Sequence, residues 1–376
     1  MLFISLFAVI SGGHTCGNCG TDPAANAGEK HGGWGMFLVH ADTLDGGYVV
    51  SSVALWGKAS DTLVLDSLPN GAAIKSAFLI WSIVADSSDS SMLLDSTQVS
   101  SVLAGISPTP CRAGYGDSTF TYYADVSSLI TDTGHYVLEG FHSSTTEGAS
   151  LVVIYSLNSE PKRNLVLYSG SYTLTGGLTG EYRWDITGFE AEDTVDHAHI
   201  TYIFDDGQDY EVSVCGREYI FYDTVCLDSG ATTIPGSVGA YWDALEFDVA
   251  SVTPANATSV NVGYATKSDT DTGGCTDCIG IAGLVFEVDT YEPTTVDEVK
   301  NQAQGLMLSG PGWIAITRPV PNASLNLYSS DGRLIRVLSS GTVRAGFYRP
   351  TGLNPGVFVA RLDWGSGSQS IKMVLR

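Results

Sequence analysis

The chain reads as an all-β protein built of antiparallel sandwiches, and three observations predict it. Val, Ile, Tyr, Phe and Thr gather in short runs of about five to eight residues, the length of strands. Gly, Asp, Ser and Asn punctuate these runs, and Gly alone supplies 43 of the 376 residues, ample for tight turns. No long segment repeats its apolar residues at the 3.6-residue period of a helix. The length suits two domains of ordinary size, each able to bury its own core, with a smaller one to follow.

From the N-terminus, Leu2 to Ile10 is an unbroken apolar run followed by Ser11-Gly12-Gly13. It has the shape of a signal-peptide core and cleavage site without the usual basic start, so residues 1–13 are expected to be a leader. No other stretch approaches the ~20 apolar residues that cross a bilayer, and an exported, soluble protein is expected.

Residues 14–175 and 176–291 form two sandwiches related by an internal repeat. Ser76-Ala77-Phe78-Leu79-Ile80-Trp81 matches His199 to Phe204, 123 positions on, and Tyr123-Ala124-Asp125-Val126-Ser127-Ser128 matches Glu246 to Ser251 at the same offset. Gly148 to Val153 then matches Ile281 to Phe286, 133 positions on, which puts an insertion of about ten residues in the loop Lys267 to Cys278.

Residues 292–310 read as a linker, and 311–376 as a third unit of opposite charge. Residues 301–376 carry eight Lys or Arg against Asp331 and Asp363, a formal +6, which leaves −29 for the rest of a chain whose total is −23. So abrupt a change of sign marks a domain boundary. Within the tail, Ser324 to Tyr328 and Arg333 to Leu338 are short alternating runs joined by Asp331-Gly332, a hairpin signal. Leu353-Asn354-Pro355-Gly356 then leads into Val357 to Leu362, and Ile371 to Arg376 closes the chain.

This tail resembles the C-terminal sorting domain of type IX secretion substrates, on three ordered motifs. They are the Leu-x-Leu-Tyr run with Asp331, Gly332 and Arg333, then Pro355-Gly356 with Arg361, and a last strand bearing Lys372. Phe358 stands where that family usually has Tyr. The resemblance implies a small immunoglobulin-like sandwich, export across two membranes by type IX machinery, and release or attachment at the cell surface. Residues 34–291 resemble a family of bacterial and archaeal surface-protein domains of unknown function, on Tyr122 to Phe141, Gly148 to Ser156, Arg163 to Gly170, Ile186 to Asp193 and Gly283 to Pro293. That resemblance implies tandem jelly-roll-like sandwiches and assigns no catalytic residue.

Seven cysteines in an exported protein are expected to pair. Cys215 and Cys226 flank a potential strand pair and are a local disulfide candidate. Cys275 with Cys278, and Cys16 with Cys19, are Cys-x-x-Cys pairs that suit disulfides better than a shared zinc site. Cys111 is left over unless it pairs with another copy of the repeat or another chain. Asp269, Asp271 and Asp277 are spaced as a calcium loop would be, without the closing glutamate of an EF-hand, so calcium competes here with plain turn chemistry. Asp205-Asp206-Gly207-Gln208-Asp209 is a shorter version of the same pattern.

His197 and His199 share one face of a strand, as metal ligation requires. The alternate residues Ala198, Ile200, Tyr202 and Phe204 are apolar, so the histidines are expected to face solvent without a task. Trp34, Trp56, Trp184 and Trp242 offer a sugar-stacking platform or core anchors. Five Asp-Ser/Thr-apolar triplets, at Thr43, Thr62, Ser67, Thr194 and Thr224, fit the O-glycosylation pattern of bacteria with type IX secretion. No metalloprotease motif, nucleophile elbow or phosphate loop is present. The acidic balance argues against nucleic acid. The expected function is structural or adhesive at the cell surface, with other copies or surface glycans as partners and calcium the one cofactor weighed. Carbohydrate binding is the alternative, and a glycan hydrolase, needing two facing carboxylates, the third.

Overall fold

The computed structural model describes residues 32–291 and 307–375, apart from 113, 177–178, 208–216, 231–233, 235–237, 240, 268–275, 277, 311–312, 317–319, 330–331, 345, 349, 351 and 366. Its elements are strands, save one short 3-10 turn at Ala250–Val252, and every strand pairing described is antiparallel.

The longest strand organises the rest. β1 (Gly32–Ala54) pairs through Gly46–Ala54 with β9 (Thr146–Ser156), and beyond β9 follow β3 (Ala73–Ala85), β7 (Ser118–Asp125) and β6 (Val102–Ser107). Through Gly32–Asp45 the same strand pairs with β10 (Lys162–Leu174), then β17 (Ile279–Asp289), β12 (Ala198–Asp205) and β15 (Trp242–Asp248). These nine strands make one sheet whose halves fold over onto each other. Phe78, Ile80, Val152 and Ile154 from one half meet Leu165, Leu167, Ile203 and Val285 from the other in a shared buried core.

Each half also carries an outer sheet. β2 (Ser60–Leu65), β8 (Gly134–Glu139), β4 (Leu93–Leu94) and β5 (Thr97–Gln98) cover the first, over a core with Leu79, Trp81, Tyr122 and Leu151. β11 (Gly180–Thr187), β16 (Ser259–Lys267), β13 (Arg217–Tyr222) and β14 (Val225–Gly230) cover the second, over Ile200, Tyr202, Tyr264 and Phe286. Four β layers thus enclose three cores. The inner strands are buried on both faces and read as near-continuous apolar runs, Ile279–Asp289 being buried at every position.

The repeat is visible in the pairing. The order β7-β3-β9-β1 recurs as β15-β12-β17-β10, and β2-β8-β4-β5 recurs as β11-β16-β13-β14. The Asp-Val motif does the same work twice. Asp125 accepts from the Ser127 amide and Asp248 from the Ala250 amide, while the Val126 and Val249 amides bond the carbonyls of Ala77 and Ala198. These bonds correct the sequence alignment. Leu79 faces Ala124 and Leu151, as Ile200 faces Phe247 and Phe286, so the true offsets are 121, 123 and 135 rather than 123, 123 and 133. A slip of two residues keeps every apolar side chain on its own face, which is why periodicity did not detect it. The sandwiches are also less separate than a division at 175 implies, because β10 bonds a strand of each.

The tail is a small two-sheet sandwich. β18 (Met307–Gly310), β19 (Trp313–Ile316) and β22 (Gly346–Tyr348) form one sheet; β21 (Leu334–Val343), β20 (Val320–Ser329), β23 (Gly356–Trp364) and β24 (Gly367–Leu375) form the other. Ile314, Leu325, Leu327, Leu362 and Met373 close its core. The expected hairpin is present: β20 and β21 pair, the Ser329 amide bonds the Arg333 carbonyl, and Gly332 supplies the left-handed backbone (φ 84).

Candidate functional site

The most unusual chemistry lies where the two copies meet. Arg112, in the β6–β7 connection of the first copy, reaches the second through Asp206, whose Oδ1 accepts from Nε at 2.9 Å. Its guanidinium lies over the Tyr241 ring at 3.1 Å and beside Trp56 at 4.4 Å, which are cation–π contacts. Tyr115, 55% exposed, stands edge-on to Trp56 at 4.8 Å. The backbone is set to aim these groups. Asp206 and Tyr241 both adopt left-handed conformations (φ 62 and 79), and the Asp206 amide bonds the Tyr241 carbonyl. A left-handed tyrosine is strained by about 1–3 kcal/mol, and such strain gathers at functional sites.

Next to Arg112, Cys111 is bonded to Cys278, 167 residues away, joining the copies covalently. Beneath lie four buried carboxylates: Glu147 on β9, Asp205 ending β12, Asp206, and Asp243 on β15. Arg112 Nε is also 3.8 Å from Glu147 Oε1. Burial, then the charges of Asp205 and Asp206, push the Glu147 carboxyl well above the usual carboxylate range, with Arg112 opposing. Burial pushes Asp205 up to about 7, against a hydrogen bond from Ser82. Trp242 is fully buried beside them, its Nε1 donating to Ser150 Oγ at 2.9 Å.

A second polar cluster sits on the same pair of inner sheets. The His197 and His199 rings stack at 4.4 Å, and neither is idle. Nε2 of His197 pairs with Glu287 Oε1 at 2.6 Å, and Nδ1 of His199 with Glu246 Oε1 at 2.8 Å. The hydrogen bond to Glu246 raises His199 above its ordinary value, against burial. Tyr48 bonds Thr201 across the layer at 2.8 Å, and burial plus the charges of Glu287 and Glu246 hold its phenol well above 10.

Cys278 is spent on Cys111, which removes it from a local pair with Cys275 and from any zinc site; Cys111 takes its partner from the other copy. Asp206 approaches both of these sulfurs, which the disulfide has already used. Trp242 and Trp184 are core residues, at 0% and 9% exposure, leaving Trp34 and Trp56 half-buried. Asp205 and Asp206 are buried, not solvated turn residues. Thr43, Ser67, Thr194 and Thr224 are exposed and Thr62 is half-buried. Cys226 lies in β14. In the tail Pro355 is exposed, Gly356 opens β23, Arg361 donates to Asp363 at 2.7 Å, and Lys372 is in backbone register with Val359. Cys16, Cys19, Cys215, Cys275, Asp269, Asp271, Asp277 and Asp331 lie outside the described residues, as do the leader 1–13 and most of the linker. No described helix is long and apolar enough to cross a membrane, which says nothing of β-barrels. Sequence reasoning missed Glu147, Arg112 and Asp243; the Asp205-Asp206 pair was the one signal available.

No family model and no curated protein matches the sequence. Among solved structures the chain is similar to β-glucuronidase from Ruminococcus gnavus, at 9% identity and a TM-score of 0.18, over 55% of this chain and 36% of that one. It thus spans about a third of that enzyme's length. It is also similar to the adhesin domain of Epf from Streptococcus pyogenes, at 9% identity and a TM-score of 0.14, over 57% and 77% of the two chains. A biofilm associated protein's BSP domain shows 8% identity and a TM-score of 0.17, over 88% and 81%. At TM-scores this low, none of the three carries an argument about this chain.

Proposed function

We propose that the chain is an exported, non-catalytic structural or adhesive protein of the cell surface, delivered by type IX secretion machinery through its C-terminal domain. The Cys111–Cys278 bond carries this reading, because disulfides form and persist outside the reducing cytosol. The tail supports it. Its hairpin, Pro-Gly strand and terminal strand follow the order of the sorting-domain motifs. The acidic balance of the body argues against nucleic acid as a partner. Its partners in this reading are the secretion machinery, other copies and surface glycans.

Intact-mass analysis and peptide mapping of protein recovered from native culture medium and cell surface test this. Loss of residues 1–13 and of the chain beyond about residue 305 is the expected result. A full-length chain retained inside the cell would overturn it. A second reading, glycan binding, is favoured by the half-buried Trp56 edged by exposed Tyr115. A glycan array on which the native chain binds and Tyr115→Ala does not would support that reading; absence of binding would remove it.

A further inference from the structure

The seam between the copies holds carboxylate oxygens that the protein does not satisfy. Glu147 is 1% exposed and its Oε1 makes no hydrogen bond; Asp205 is 2% exposed and its Oδ2 makes none. They come from opposite halves of the folded sheet, β9 and β12, and packing brings them together: Gly148, next to Glu147, lies against Trp242, which is the register partner of Asp205. Arg112 does not resolve the pair, since its Nε is committed to Asp206 and stops 3.8 Å from Glu147 Oε1. Room is kept for these groups: a Cβ at Gly280 would fall on the Asp205 carboxylate. An unpaired buried carboxylate is among the costliest groups a core can hold. Such groups are kept where they take a proton or coordinate a cation.

We propose that Glu147 and Asp205 bind one divalent cation, calcium in preference to others, and so bridge the two copies beside the disulfide. The available donors are oxygens, and the Thr146 hydroxyl next to Glu147 is also buried without a hydrogen bond. Calcium takes six to eight oxygen ligands in flexible geometry, whereas magnesium demands near-ideal octahedra and keeps its waters. Softer metals favour nitrogen or sulfur, and the neighbouring sulfurs of Cys111 and Cys278 are already joined. Without a cation, burial drives both carboxyls toward the neutral form; a bound divalent ion reverses that preference. The proposal stands whether or not the chain is a surface protein.

Calorimetric titration of the full chain, after EDTA treatment, with calcium and with magnesium tests it. One calcium per chain is expected, with weaker magnesium binding, and its loss in Glu147→Gln and in Asp205→Asn. An Asp269→Asn/Asp271→Asn/Asp277→Asn variant keeps the site. At a hundredfold excess over the dissociation constant, calcium shifts the folded-to-unfolded ratio about 100-fold in the wild type and not in the two seam variants. No calcium binding, or binding lost only in the triple variant, overturns the proposal. Should both seam variants fail to fold, anomalous diffraction from wild-type crystals soaked in manganese decides. A peak between Glu147 and Asp205 supports the site, and none there refutes it.

Discussion

His199 shows how one carboxylate changes what a side chain does. Its hydrogen bond to Glu246 Oε1 raises it above its ordinary value, so the folded state holds the proton more tightly than the unfolded chain. For a base with a raised value, the stabilisation is complete below the unfolded value near 6.5 and is lost as pH rises through the folded one. Glu246→Gln is therefore expected to weaken the protein at pH 5.5 and to make little difference at pH 8.5, in urea denaturation at the two pH values. Arg112 is a harsher case, because Asp206, which accepts its hydrogen bond, is buried. Arg112→Ala leaves buried charge uncompensated, and a loss of about 3–5 kcal/mol is expected by chemical denaturation. Neither role was legible in the sequence. His197 and His199 looked idle because their apolar neighbours were expected to occupy the one buried face. The strands paired on either side of β12 in the same sheet carry Glu246 and Glu287 to them, from β15 and β17.

The strands themselves were largely legible. The tail hairpin beside Gly332 and the duplicated Asp-Val turns carry local signals, since Ser329 bonds Arg333 and Asp125 and Asp248 each accept from an amide two residues on. What strands bury was less legible, as Gly148 shows. It lies in β9 against the ring of Trp242 on β15, where a Cβ would collide with the indole. Trp242 has no room to retreat, being fully buried with its Nε1 bonded to Ser150. Gly148→Ala is expected to cost about 1–3 kcal/mol by overpacking, read as a lower denaturation midpoint with an unchanged slope. Trp242 was a candidate sugar platform from sequence, where a tryptophan beside Tyr241 and Asp243 has no visible lid. The lid is β9, almost a hundred residues earlier in the chain.

Across the described residues, the duplicated sandwiches are joined by a shared sheet, an apolar layer, the Arg112 contacts and the Cys111–Cys278 disulfide. The bond closes a separation of 167 residues, for which the chain-entropy model gives about 5 kcal/mol and measured native disulfides typically 2–5. Replacing Cys111 and Cys278 together by Ser is expected to lower unfolding free energy by about 2–5 kcal/mol. Reducing agent should destabilise the wild type by more than it destabilises the double variant.

By itself the sequence determined that the chain is all-β, that its body is duplicated, and that a basic tail follows an acidic body. These are properties of strand period, of self-similarity and of composition, each readable over a short window. The tertiary structure decided the two-residue slip in the repeat, the Cys111–Cys278 pairing, the burial of Trp242 and the carboxylates at the seam. Each depends on which faces of the folded sheet meet. A period of two tells which side chains share a face, but not which distant face covers them.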